Sequence, residues 1–176
     1  MNLVVHPSDL SGRIEAPGSK SHMQRLLAAG LLAQGESWIR RPSDAADCMA
    51  AAEVAAGLGA DIEIGQNALK IRGGLAPRTD VLHMGESGLG MRLFSPIAAL
   101  APTPLTLVAS GTLQHRPMQP MADALAALGA QAKLRNGCPP IELHGPLRGG
   151  QSHVDGGLSS QFLTGLLMAL PCASAD

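Results

Sequence analysis

The stretch Gly18-Ser19-Lys20-Ser21-His22-Met23-Gln24-Arg25-Leu26-Leu27 runs a Gly/Ser-rich turn directly into an apolar helix, and the chain repeats the pattern. The second copy is Gly85-Glu86-Ser87-Gly88 leading to Arg92-Leu93-Phe94; the third is Gly156-Gly157-Leu158-Ser159-Ser160 leading to Gln161-Phe162-Leu163. In the first two copies an arginine follows the opening glycine by seven residues. Each helix start presents backbone N–H groups with no partner inside the helix, at the positive end of its dipole. Each is a potential anion site. With lysine and arginines close by, the three suggest a protein that holds phosphorylated or carboxylated small molecules.

The turn-to-helix passages belong to a longer repeat. Leu58-Gly59-Ala60 recurs as Leu128-Gly129-Ala130, 70 residues later, and Ile71-Arg72-Gly73-Gly74-Leu75 is echoed 72 residues later at Leu143-His144-Gly145-Pro146-Leu147. Self-similarity at such a period marks a duplicated supersecondary unit. One unit reads as helix 20–34, a strand at Ser37–Arg40, a helix from Asp44 to Leu58, and strands at Asp61–Ile64 and Ala68–Ile71 around a Gly65-Gln66-Asn67 turn. Asp44 is expected near the start of its helix, where a carboxylate suits the dipole. The second unit reads as helix 87–100, strand 105–109, helix 118–129 and strands 130–135 and 140–144; a third begins with strand 151–155 and helix 158–170. The units are therefore 18–83, 84–150 and 151–176, the last incomplete. A third unit without its second helix and closing strands leaves its first helix poorly covered, so truncation, or completion by another segment, is expected.

Composition narrows the function. Hydrophobic residues make up 45% of the 176 and charged residues 15%, which supports a sizeable core and argues against disorder. Aromatics are only 2%, so the core is aliphatic and no stacking platform for single-stranded nucleic acid is expected. A net charge of −1 with no basic run disfavours non-specific nucleic-acid binding. Cys48, Cys138 and Cys172 lack metal-ligand spacing and are expected to be reduced, mostly buried thiols. The six histidines form no cluster, and no metal or cofactor is expected. Met1-Asn2-Leu3-Val4-Val5-His6 has no cationic region followed by an apolar run. No signal peptide or membrane span is expected, hence a cytoplasmic location.

Several side chains stand out chemically. Ser21 and Arg25 share a helix face and Lys20 lies at its start; with the free N–H groups they form a phosphate or carboxylate cradle. The spacing is not that of a Walker A loop. Arg25 and Arg92 sit in apolar runs, where a guanidinium must be paired or lie at a solvated edge. Each reads either as a rim residue paired with a distant carboxylate or as an anion clamp. Ser159-Ser160-Gln161 reads either as ordinary N-capping or as a ligand contact. Arg116 is a solvated loop residue or a further cation, and Glu86 either satisfies helix-start N–H groups or partners Lys20. Met84, Met91, Met118 and Met121 read as core fillers.

Taken in order, Gly18-Ser19-Lys20-Ser21 with Arg25, Glu86-Ser87-Gly88 with Arg92, Arg116-Pro117-Met118 with Leu128-Gly129-Ala130, Pro139-Pro140, and Ser159-Ser160-Gln161-Phe162 with Leu167-Met168 resemble the 5-enolpyruvylshikimate-3-phosphate synthase family. The resemblance covers the whole chain, which looks like the N-terminal part of such an enzyme. It implies an α/β fold of repeated βαβαββ units, inside-out in that helices face inward and sheets outward. It also implies that strands at about 2–6 and 12–16, within residues 1–17, pack with a second domain outside this sequence. The implied reaction moves the enolpyruvyl group of phosphoenolpyruvate to the 5-hydroxyl of shikimate 3-phosphate and releases phosphate, a step of chorismate and aromatic amino-acid biosynthesis. By residue match, Lys20, Ser21, Arg25, Ser159, Ser160 and Gln161 would hold shikimate 3-phosphate. Lys20, Gly88 and Arg116 would contact phosphoenolpyruvate, with Lys20 also catalytic. The general base and further cations would come from the second domain, leaving this chain inactive alone; the complete enzyme is expected to be a monomer.

Two departures from the family pattern are visible. Its common Asn-Ala-Gly-Thr-Ala-Met-Arg-Pro stands here as Glu86-Ser87-Gly88-Leu89-Gly90-Met91-Arg92-Leu93, which puts a carboxylate beside an anion site. Its Ser-Asp-Asp is Ser43-Asp44-Ala45. The related UDP-N-acetylglucosamine enolpyruvyl transferases would carry Lys-Asn in place of Lys20-Ser21 and a cysteine before Arg116-Pro117. Gly111-Thr112-Leu113-Gln114-His115 contains none.

Overall fold

Ser19 opens the first helix by accepting a hydrogen bond from the His22 N–H (3.3 Å), so the Gly/Ser turn ends where the apolar run begins. Helix α1 spans Lys20–Leu32, followed by strand β1 (Glu36–Arg40), helix α2 (Ala46–Gly57) and the hairpin β2 (Asp61–Ile64) and β3 (Ala68–Arg72). Strand β4 (Val81–His83) then precedes α3 (Gly88–Ala98), β5 (Leu105–Val108), a 3-10 turn (Gly111–His115), α4 (Gln119–Ala127), β6 (Gln131–Arg135) and β7 (Cys138–His144). Helix α5 (Ser160–Ala169) and a short 3-10 turn (Leu170–Cys172) close the computed structural model, which describes residues 3–174.

The two units share one plan. β1, β3 and β2 form an antiparallel sheet in that order, with Trp38 opposite Lys70. β4, β5, β7 and β6 form the second sheet, β4 running parallel to β5 and the others antiparallel. The second unit thus contains a complete βαβαββ sequence. Its opening strand, Val81–His83, lies in residues that the repeat reading assigned to the first unit; sheet pairing puts this strand with the second.

The helices form the interior. Helix α3 packs against α1, α2, α4 and α5, and every residue from Gly88 to Ala98 except Arg92 is buried. The four methionines read as core fillers are all fully buried. The sheets turn one face outward, leaving Trp38 62% exposed and Ile64 59% exposed. This is the inside-out arrangement, and it explains helices that are apolar almost all round. No helix among the described residues is long and apolar enough to cross a membrane.

Some local expectations differ from the structure. Residues 151–155 form no strand, nor do residues 3–6 or 12–16; position 2 lies outside the described residues. A strand needs a ladder partner for its N–H and C=O groups, and among the described residues no segment pairs with these stretches; Ile14 is 97% exposed. Helix α2 begins at Ala46, so the carboxylate in its first turn is Asp47 and Asp44 remains exposed outside. Of the three thiols only Cys48 is buried, Cys138 being half-buried and Cys172 exposed.

Candidate active site

The beginnings of three helices converge on one cavity. α1 contributes Lys20, Ser21, Gln24 and Arg25; α3 contributes Gly88, Leu89 and Arg92; α5 contributes Gln161. Asp47, Glu86 and Arg116 complete the lining of a space of about 330 Å³. Six sequence-selected residues, Lys20, Ser21, Arg25, Gly88, Arg116 and Gln161, thus share one site. Ser159 and Ser160 are not among the lining residues: Ser159 Oγ accepts from the Gln161 N–H (3.2 Å) as the cap of α5, and the Ser160 carbonyl accepts from Thr164 Oγ1 (3.1 Å). A larger depression of about 510 Å³ lies between the Gly111–His115 turn and the β6–β7 hairpin and includes none of the eight.

The approach of α5 to α3 has a backbone cause. Pro96 has no N–H to donate to the Arg92 carbonyl one turn earlier. Gly165 packs against that carbonyl at a point where a Cβ would collide with it. The close crossing brings Gln161 to Arg92, whose Nη1 donates to Gln161 Oε1 (2.8 Å) while its guanidinium lies 4.8 Å from the centre of the Phe162 ring.

Each charge has an identifiable environment. Lys20 Nζ lies 2.8 Å from Asp47 Oδ2; this hydrogen bond, and then the aspartate's charge, raise the lysine pKa above its ordinary value. Arg25 Nη1 donates to the Ser21 carbonyl in its own helix (2.9 Å). Burial, and then the charge of Arg116, push the Arg92 pKa down, though a guanidinium stays protonated in water. Among the described residues, Arg25, Arg92 and Arg116 make no ion pair. Four cations and two carboxylates line the cavity, and both carboxylates are engaged: Asp47 by Lys20, Glu86 by the Thr112 N–H (3.1 Å). Glu86 therefore neither partners Lys20 nor caps α3, where Ser87 Oγ accepts from the Gly90 N–H (3.0 Å).

Gly88 leaves room for the cations. A Cβ there would stand 2.9 Å from Arg116 Nη1 and 3.5 Å from Arg92 Nη1. Two lining residues, Asp47 and Gln24, were missed as ligand candidates in the sequence. Asp47 is one of several acidic residues in its region, and only its seat in the first turn of α2 opposes it to Lys20. Gln24 is fully buried; its Oε1 accepts from Ser87 Oγ (2.9 Å), and its Nε2 has no partner among the described residues. Arg92, read from the sequence as either a paired rim residue or an anion clamp, lines the cavity with no carboxylate partner among the described residues. Chemically, the arrangement is an anion cradle: helix N-termini, a paired lysine and three arginines without carboxylate partners.

The model of the family described as EPSP synthase (3-phosphoshikimate 1-carboxyvinyltransferase) matches residues 4–176. This chain belongs to the EPSP synthase family. A relative named 3-phosphoshikimate 1-carboxyvinyltransferase, from Methanocorpusculum labreanum, is 37% identical over 180 residues, which cover 100% of this chain and 43% of the relative. The solved EPSP synthase from Acinetobacter baumannii superposes with a TM-score of 0.80 at 30% identity, covering 90% of this chain and 37% of that one. The enolpyruvyl transferase NikO from Streptomyces tendae shares the fold, with a TM-score of 0.58 at 16% identity. The chain thus spans about two fifths of the length of the EPSP synthase relatives it matches.

Proposed function

We propose that this chain supplies one wall of the substrate cleft of an enzyme that transfers the enolpyruvyl group of phosphoenolpyruvate to the 5-hydroxyl of shikimate 3-phosphate, releasing phosphate. The observation that carries the reading is the convergence of three helix starts and three carboxylate-free arginines on one cavity, in a member of the EPSP synthase family. In this reading Ser21, Arg25, Ser159, Ser160 and Gln161 grip shikimate 3-phosphate, Gly88 and Arg116 face phosphoenolpyruvate, and Lys20 serves both. Both substrates are polyanions, and preorganised cations and N–H donors stabilise charge that develops between them. Asp47, 2.8 Å from Nζ, holds Lys20 in place at the cavity. The general base and remaining cations come from a second domain, in a cytoplasmic monomer.

Calorimetric titration with shikimate 3-phosphate tests the grip. Arg25→Ala and Gln161→Ala are each expected to weaken binding by roughly tenfold, the worth of one charge-assisted hydrogen bond. Unchanged affinity in both variants would refute the assignment. With both substrates present, the chain alone is expected to release no phosphate; measurable turnover would show that the essential groups lie within it.

A further inference from the structure

Glu86 is the one lining residue whose charge opposes the proposed ligands without holding a cation. Its contacts account for it. The carboxylate Oε2 accepts from the Thr112 backbone N–H (3.1 Å) and lies 3.4 Å from Thr112 Oγ1, at the start of the Gly111–His115 turn. Gly111, at φ +52°, lies against the same carboxylate, so closely that any Cβ on it would overlap the group. A second strut joins the same segments, the Ser110 N–H donating to the Gly85 carbonyl (2.8 Å). At its far end the turn closes with the Arg116 N–H on the Leu113 carbonyl (3.1 Å), and Leu113 is fully buried. Arg116 is therefore delivered by a five-residue turn with two fixed points, the buried Leu113 and the Glu86 carboxylate.

We infer that Glu86 is a positioning residue that anchors the Gly111–His115 turn and so sets Arg116 over Gly88 for the phosphate of phosphoenolpyruvate. The inference rests on the reading above, and its sign separates it from simple electrostatics. A bystander carboxylate repels an anion, so removing its charge tightens anion binding whatever residue replaces it. An anchor behaves otherwise. Glu86→Ala removes the acceptor and frees the turn; Glu86→Gln keeps a carbonyl oxygen for the Thr112 N–H while losing the charge.

The test uses the full 176-residue chain and its two variants, followed by amide hydrogen exchange at Thr112 and by titration with phosphoenolpyruvate read at the Arg116 Nε–H resonance. Thr112 protection is expected to fall in Glu86→Ala and persist in Glu86→Gln. Phosphoenolpyruvate affinity is expected to drop roughly tenfold in Glu86→Ala and to stay within about threefold in Glu86→Gln. Equal or tighter binding in both variants, or Thr112 exchange unchanged by Glu86→Ala, overturns the inference. If the unmodified chain does not bind phosphoenolpyruvate, the substrate reading fails. The anchoring of the turn is then decided by Thr112 exchange and the Arg116 resonance alone.

Discussion

Helices α1 and α3 begin with the same kind of turn and carry an arginine at the same distance from it, yet the two arginines live differently. Arg25 folds back onto the Ser21 carbonyl of its own helix. Arg92 is half-buried, reaches across to Gln161 and lies over Phe162. Helix α1 buries one face, whereas α3 is enclosed by four other helices. A repeated local sequence therefore produced two sites of different character. What separates them is the number of neighbours each helix must satisfy.

The largest expected difference lies in stability. Phe94→Ala removes a fully buried ring from α3 and should cost about 3–5 kcal/mol, whereas Leu26→Ala on the half-buried side of α1 should cost about 1–2 kcal/mol. Denaturant unfolding of both variants checks this; similar losses would mean that α3 is no more central than α1. Next come the arginines themselves. Arg92→Ala leaves Gln161 without its partner and Phe162 uncovered, with an expected loss of about 1–3 kcal/mol, while Arg25→Ala should change stability by less than about 0.5 kcal/mol. Reversal of that order would break the comparison.

The smallest effect concerns Lys20. Its folded pKa lies above the ordinary lysine value of 10.5 because of Asp47, so the pair's contribution is fully present below that value and fades as the pH rises through the folded pKa. Asp47→Asn should lower the Lys20 titration midpoint, observed by NMR, and leave neutral-pH stability nearly unchanged because the lysine is exposed. An unmoved midpoint would mean that Asp47 does not hold the lysine.

Much of the site was legible before the structure. Lys20, Ser21, Arg25, Gly88, Arg116 and Gln161 were singled out by turn chemistry and motif order, and all six line the cavity. Gln24 and Asp47 were not, because a glutamine in a helix and an aspartate near a helix start are ordinary in sequence. Only packing isolates the first from water and opposes the second to Lys20. Strand Val81–His83 escaped for a related reason: three residues carry too little alternation to announce a strand, and it is defined by pairing with β5.

By itself the sequence determined the repeat, the five helices, six of the seven strands, and the three anion-ready helix starts. Those follow from apolar periodicity, turn residues and capping, which act over a few residues. Tertiary structure decided that the three starts face one cavity, that Lys20 answers to Asp47, and that Glu86 at the cavity's edge accepts from the Thr112 N–H. A charged side chain pairs with whatever the fold brings within about 3 Å, and distance along the chain does not set that neighbour.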